Sequence, residues 1–167
     1  MNREEAYQLI KENVKNKNLI KHMLAVEAIM KSLATKLSED EKKWGLTGLL
    51  HDIDYEITAK DPKMHSIVGA NMLKEIGLDD ELVNAVRAHN DMHKIERKTL
   101  LDKALYCADP LTGLIVASAL IHPDKKLSSI DHNFVLKRFK EKAFARGAKR
   151  EQIKKCSEIG LELEEFV

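Results

Sequence analysis

Cysteine is nearly absent from this chain: there are two, Cys107 and Cys156, with no CxxC pair and no disulfide-framework spacing. That excludes a thiolate zinc knot and a disulfide-stapled secreted scaffold, and a reduced cytoplasm is the expected setting. Three prolines and seven glycines give little of the turn punctuation that an all-β chain needs. Aromatics make up 5%, with a single tryptophan. Trp44, in turn spacing with Gly48 and His51, reads as a core residue rather than a base-stacking platform. Neither sign of charge dominates, since 28 Lys+Arg face 27 Asp+Glu for a net of +1. A chain-wide basic surface is therefore missing, and no DNA or RNA partner is expected. The opening MNREEAYQLIKENVKNK lacks an apolar leader core, and no apolar run approaches bilayer length on this reading. A soluble chain with no membrane partner is the expectation.

What is present is helical periodicity. Hydrophobic residues are 44% of 167, enough for one sizeable core, and they recur at steps of three and four over most of the chain. Helices are expected at Arg3–Val14, Asn18–Lys36 and Glu39–His51, followed by an acidic loop, DIDYEITAKDPK. Further helices are expected from Met64 to a stop at Gly77 and from a cap at Asp79 or Asp80 through His89. Thr99–Ala108 and Thr112–Ile121 read as two segments meeting at Pro110. The basic C-terminal part reads as one helix over Asp131–Arg146 and another from Arg150 towards Phe166. The expectation is a compact, single-domain all-α bundle over residues 1–167, with a motif-bearing core at about 18–121 and basic helices at 131–167.

The stretch GLTGLLHDIDYE sets His51 and Asp52 side by side behind an apolar run. On the helical map, His22 shares a face with Val26, Ile29 and Leu33, and His65 shares one with Val68, Met72 and Ile76. His89 falls in line with Leu82 and Val86, and Asp109 ends a helix whose inner face includes Leu101 and Leu105. A single inward histidine is ordinarily a core residue. Six inward polar groups from five separate segments each need a partner, and a divalent cation satisfies them together.

The order H…HD…D, here His22, His51-Asp52 and Asp109, resembles the HD-domain superfamily of metal-dependent phosphohydrolases. The flanks KHMLAVEAIMKSLA, GLLHDID and LLDKALYCADPLTG resemble it as well, over roughly Asn18–Leu120. The resemblance implies one metal held by His22, His51, Asp52 and Asp109, and a second held with His65 and His89, bridged by Asp52. HDIGK of one large branch reads HDIDYE here, so Asp54 and Tyr55 replace its glycine and lysine. The paired histidines of the cyclic-dinucleotide phosphodiesterases read His89-Asn90 and their GYP signature is absent, which argues against that activity. The glutamate of HDxxE nucleotidases has Tyr55 in its place, with Glu56 one residue late. A small bacterial group of predicted HD-superfamily hydrolases and the symmetrical dinucleoside-tetraphosphate hydrolases are similar to this pattern.

Mixed imidazole and carboxylate donors suit one or two ions of Mn, Fe, Co, Ni or Zn. Such a cation lowers the pKa of its water from about 15.7 towards roughly 7. Hydrolysis of a phosphate ester or anhydride of a small metabolite, above all a nucleotide, is the expected activity. Asp52 and Asp54 are the expected catalytic carboxylates, with Asp54 orienting or shuttling a proton from water. Arg87, and Lys142 with Arg146 on one helix face, are the expected phosphate contacts. Two other readings stay open: a catalytically silent nucleotide-binding or regulatory module, and a di-iron oxygenase on the same scaffold.

Overall fold

Asn2 opens the first helix by a reciprocal cap. Its Oδ1 accepts from Glu5 N at 2.9 Å, and Glu5 Oε2 accepts from Asn2 N at 2.7 Å. The computed structural model describes Met1 to Val167, with α1 at Arg3–Asn13, α2 at Lys17–Leu37, α3 at Glu41–Leu50, α4 at Ile67–Glu75 and α5 at Asp80–Ala88. Then follow α6 at Leu100–Ile121, α7 at His132–Phe139, α8 at Arg150–Ile153 and α9 at Leu163–Phe166. No strand occurs, so the fold is all-α. Asn16, Asp40 and Asp79 cap α2, α3 and α5 through their side chains, which is why those helices begin where the sequence places them.

The chain forms two compact units, Met1–Leu105 and Tyr106–Val167. In the first unit, Ile10, Met23, Leu49, Leu50, Ile53 and Leu73 are fully buried in one core. Helices α2 and α3 lie very close there. A Cβ on Gly48 would meet Val26 C and O and Met30 Cγ at 2.9 Å, so only glycine fits. This contact sets the distance between the helix carrying His22 and the one ending at His51.

The second unit departs from the sequence expectations. Leu100–Ile121 is one continuous helix with Pro110 inside it, not two segments. A proline there removes the N–H that would pair with the carbonyl four residues back, Tyr106 O. The buried Gln152 donates Nε2–H to that same carbonyl at 2.8 Å, so the helix passes through the proline with its acceptor satisfied. By length and composition, α6 also meets the requirement for crossing a membrane, although no such run was expected; 56% of its apolar window is buried within the structure.

The expected helix over Asp131–Arg146 stops at Phe139. Of the carbonyls that a longer helix would pair internally, those of Arg138, Phe139 and Glu141 accept from the Arg150 guanidinium, which also donates to Phe144, Ala145 and Ala148 O at 2.6 to 2.8 Å. Lys142 and Arg146 therefore stand on an irregular loop and not on one helix face. The last expected helix is likewise broken into α8, a 3₁₀ run Lys154–Ile159, a left-handed Gly160 and α9.

Candidate metal centre

Two of the four histidines reach the site by one device. His51 is the residue after α3 and His89 the residue after α5. Each turns its Nδ1 back onto the carbonyl three residues earlier, His51 to Gly48 O at 2.8 Å and His89 to Val86 O at 2.6 Å. A carbonyl only accepts, so Nδ1 carries a proton, and in the neutral ring Nε2 keeps its lone pair. Both rings also sit at helix C-termini, where the backbone dipoles favour positive charge.

His65 is positioned differently. The sequence reading puts it inside a helix from Met64, but α4 begins only at Ile67 and His65 lies on the turn before it. Asp54, fully buried, accepts from His65 Nδ1 at 2.9 Å on one oxygen, and from Ser66 N at 2.8 Å and Gly69 N at 2.7 Å on the other. The intervening Ser66 is left-handed, with φ 72, a conformation costing a non-glycine residue roughly 1–2 kcal/mol. Asp54 pins that turn and fixes the His65 tautomer. With both oxygens committed, it faces His65 and the backbone, and the water-orienting role expected of it does not match this placement. His93, as a residue behind the site, sets Nε2 2.8 Å from His65 O, where its N–H donates.

Asp52 is the centre on which these rings converge. Its Oδ2 lies 3.5 Å from His22 Nε2 and 3.4 Å from His51 Nε2, and its Oδ1 lies 3.4 Å from His65 Nε2 and 3.5 Å from His89 Nε2. One carboxylate thus faces two pairs of imidazoles, one pair per oxygen. Burial alone would raise the Asp52 carboxyl, but the charge of His51 and hydrogen bonds from His22, His51 and His89 hold it well below the usual carboxylate range. His51, Asp52 and His89 are buried with ligand atoms within 4.8 Å of one another, while the side chains of His22 and His65 stay 26% and 15% exposed, which leaves the cluster open on their side.

The donor chemistry supports a cation. Three of the imidazoles have Nδ1 committed to an acceptor, so in the neutral state their Nε2 lone pairs point at a carboxylate with no proton between them. A divalent ion resolves that repulsion, and imidazole with carboxylate is a ligand set for first-row transition metals.

Glu56 was not among the residues selected from sequence, because nothing periodic marks it. Its carboxylate accepts from Lys15 N at 2.9 Å and Asn16 N at 2.5 Å, gripping the turn whose Asn16 caps the His22 helix. Tyr55, between the two acids, is 51% exposed, and its ring centroid is 5.1 Å from that of His65. Arg87 lies half-buried on α5 with Nη2 donating to Asn71 Oδ1 at 2.9 Å. Asp109 belongs to the second unit, on α6, and its expected part as a ligand rests on the order of the motif. Lys142 and Arg146 are exposed, also in the second unit.

The model of the HD domain family matches residues 19–114. The chain belongs to the HD domain family. A crystal structure of a predicted HD superfamily hydrolase from an uncultured Thermotogales bacterium has the same fold, with a TM-score of 0.61 over 81% of this chain and 87% of that one at 23% identity. Ribonucleases Y are among the curated relatives. That of Oleidesulfovibrio alaskensis is 29% identical over 98 residues, which is 59% of this chain and 18% of the relative. That of Lawsonia intracellularis is 28% identical over 115 residues, 69% of this chain and 22% of the relative. This HD-domain chain therefore matches about a fifth of the length of those relatives.

Proposed function

We propose that the chain is a metal-dependent phosphohydrolase that cleaves a phosphate ester or anhydride of a small metabolite, a nucleotide above all, in a reduced cytoplasmic setting. The observation that carries this reading is the pairing of four imidazole Nε2 atoms with the two oxygens of buried Asp52. On this reading His22, His51, Asp52, His65 and His89 would hold one or two divalent transition-metal ions. A cation held there supplies Lewis-acid charge for a phosphoryl oxygen and an acidified water. Asp54 keeps His65 turned towards the site, Gly48 O and Val86 O do the same for His51 and His89, and Tyr55 flanks the open side where substrate enters.

Protein purified without chelator is expected to carry one or two transition-metal ions per chain by elemental analysis. It should release phosphate or a nucleoside monophosphate from a panel of nucleotides, phosphoesters and a short oligoribonucleotide, the last included because the relatives are named ribonucleases. Asp52→Ala should abolish both metal binding and turnover. A metal-free protein whose melting temperature is indifferent to added Mn, Fe, Co, Ni or Zn would remove the site. Bound metal without turnover across the panel would leave the cage standing and sink the hydrolase.

A further inference from the structure

The second unit concentrates charge that the chain as a whole balances. Between Lys137 and Lys155 there are nine Lys and Arg against two Glu, in a protein of net charge +1. Lys140, Lys142, Arg146, Lys149 and Lys154 line a groove of about 560 Å³ with one carboxylate among them, Glu151. Only Lys154 is paired, with Glu151 at 2.9 Å. The other four have no acidic partner.

Their arrangement is built. The Arg150 guanidinium sits inside the loop and gathers it: beside the three close carbonyls named above, it donates to Phe139 O at 3.3 Å and to Arg138 and Glu141 O at 3.4 Å. Ala145 is held left-handed, with φ 45, which strains a residue with a Cβ. Like charges brought together on a strained loop oppose folding unless something outside the chain compensates them. Phe139, Ala148 and Leu163 supply the apolar part of the lining.

We propose that this groove is an anion site for a small ligand bearing several phosphates, of nucleotide size. The volume falls within the roughly 300–1,000 Å³ of small-molecule sites. The cations surround a concavity, whereas a membrane surface or an extended nucleic acid is met by a flat or linear basic face. The assignment stands on the second unit alone and does not depend on the metal centre or on hydrolysis.

The test titrates the full chain, in chelator, with inorganic tripolyphosphate and with adenosine triphosphate, followed by amide resonances. Saturable shifts are expected in residues 140–149, weakening with added salt. Exposed Lys142 and Arg146 permit a folded double variant, Lys142→Glu with Arg146→Glu, which should weaken binding roughly tenfold or more. Asp52→Ala should bind as the parent does, separating this site from the metal centre. Absence of shifts, shifts confined to other residues, or affinity unchanged by the double variant would overturn the proposal. So would an oligonucleotide or anionic vesicles binding the same loop far more tightly than tripolyphosphate.

Discussion

Asp52, Asp54 and Glu56 alternate along one turn, and each serves a different neighbour. Asp52 faces the imidazoles, Asp54 holds the turn bearing His65, and Glu56 holds the turn that starts the His22 helix. Asp54→Ala removes an acceptor from His65 Nδ1 and from two backbone N–H groups. Metal affinity should fall about 10–100-fold, as for other partners that orient ligating histidines. Asp54→Asn should lie between the two, because one amide oxygen cannot serve both His65 and the Ser66 and Gly69 donors. Nitrogen NMR of His65 gives the decisive readout: loss of the single Nδ1–H tautomer in Asp54→Ala is expected, and an unchanged tautomer would show that Asp54 only supports the fold. His22, His51, Asp52 and His89 were legible in sequence because helical spacing and motif order both point inward, whereas His65 was reached by the family resemblance, since it lies on a turn and the helix expected to carry it begins only at Ile67. The roles of Asp54 and Glu56 were not, since a turn has no period and its hydrogen bonds depend on which segments it meets.

At the scale of the element, α6 shows a local rule overridden by a distant residue. Pro110 signals a break, and the missing N–H is real, yet Gln152 from α8 supplies the donor to Tyr106 O. Gln152→Ala should cost about 1–3 kcal/mol by leaving a buried carbonyl unsatisfied. Pro110→Ala restores the backbone donor, so the cost of Gln152→Ala should shrink in that background, and denaturant unfolding of the four proteins measures the coupling. Additive costs would show that Gln152 acts through packing alone. The same kind of capture, by Arg150 on the carbonyls of Arg138, Phe139 and Glu141, accompanies the early end of α7. Starts with a side-chain cap, those of α1, α2 and α5, were read well because caps lie within a few residues, whereas α4, which has no such cap, starts later than expected. These two misplaced continuations came from partners 46 and 12 residues away, which hydrophobic periodicity does not register.

For the whole molecule, acid is the sharpest expected stress. Burial by itself raises the Glu27 carboxyl, but hydrogen bonds from Arg3 and Lys31 at 2.6 Å outweigh it and leave Glu27 below its ordinary value of 4.5. The unfolded chain then takes up the proton more readily, so this contribution is present above about pH 4.5 and is lost as pH falls through the lower folded value. Thermal midpoints in chelator should decline below that point, and Glu27→Gln should flatten part of the slope while lowering stability near neutrality by about 1–3 kcal/mol. A Glu27→Gln profile parallel to the parent would assign the acid sensitivity elsewhere. The all-α class and the HD-domain membership were legible from helical spacing and an ordered motif. Division into two units was not, because α6 runs unbroken through the boundary and no linker composition marks it.

The device shared by His51 and His89 has a consequence for how such a chain tolerates change in length. Each ring is placed by counting residues along a helix to a carbonyl in its last turn, and a helix turns about 100° per residue. One residue inserted into α3 or α5 would swing its imidazole away from Asp52 while leaving a sound helix behind. Ala59 to Lys63, by contrast, are exposed and form the loop between Asp54 and the turn it holds, with no side chain of theirs at the site. Natural insertions and deletions among close relatives should therefore gather in that stretch and avoid the two helices that end in histidine.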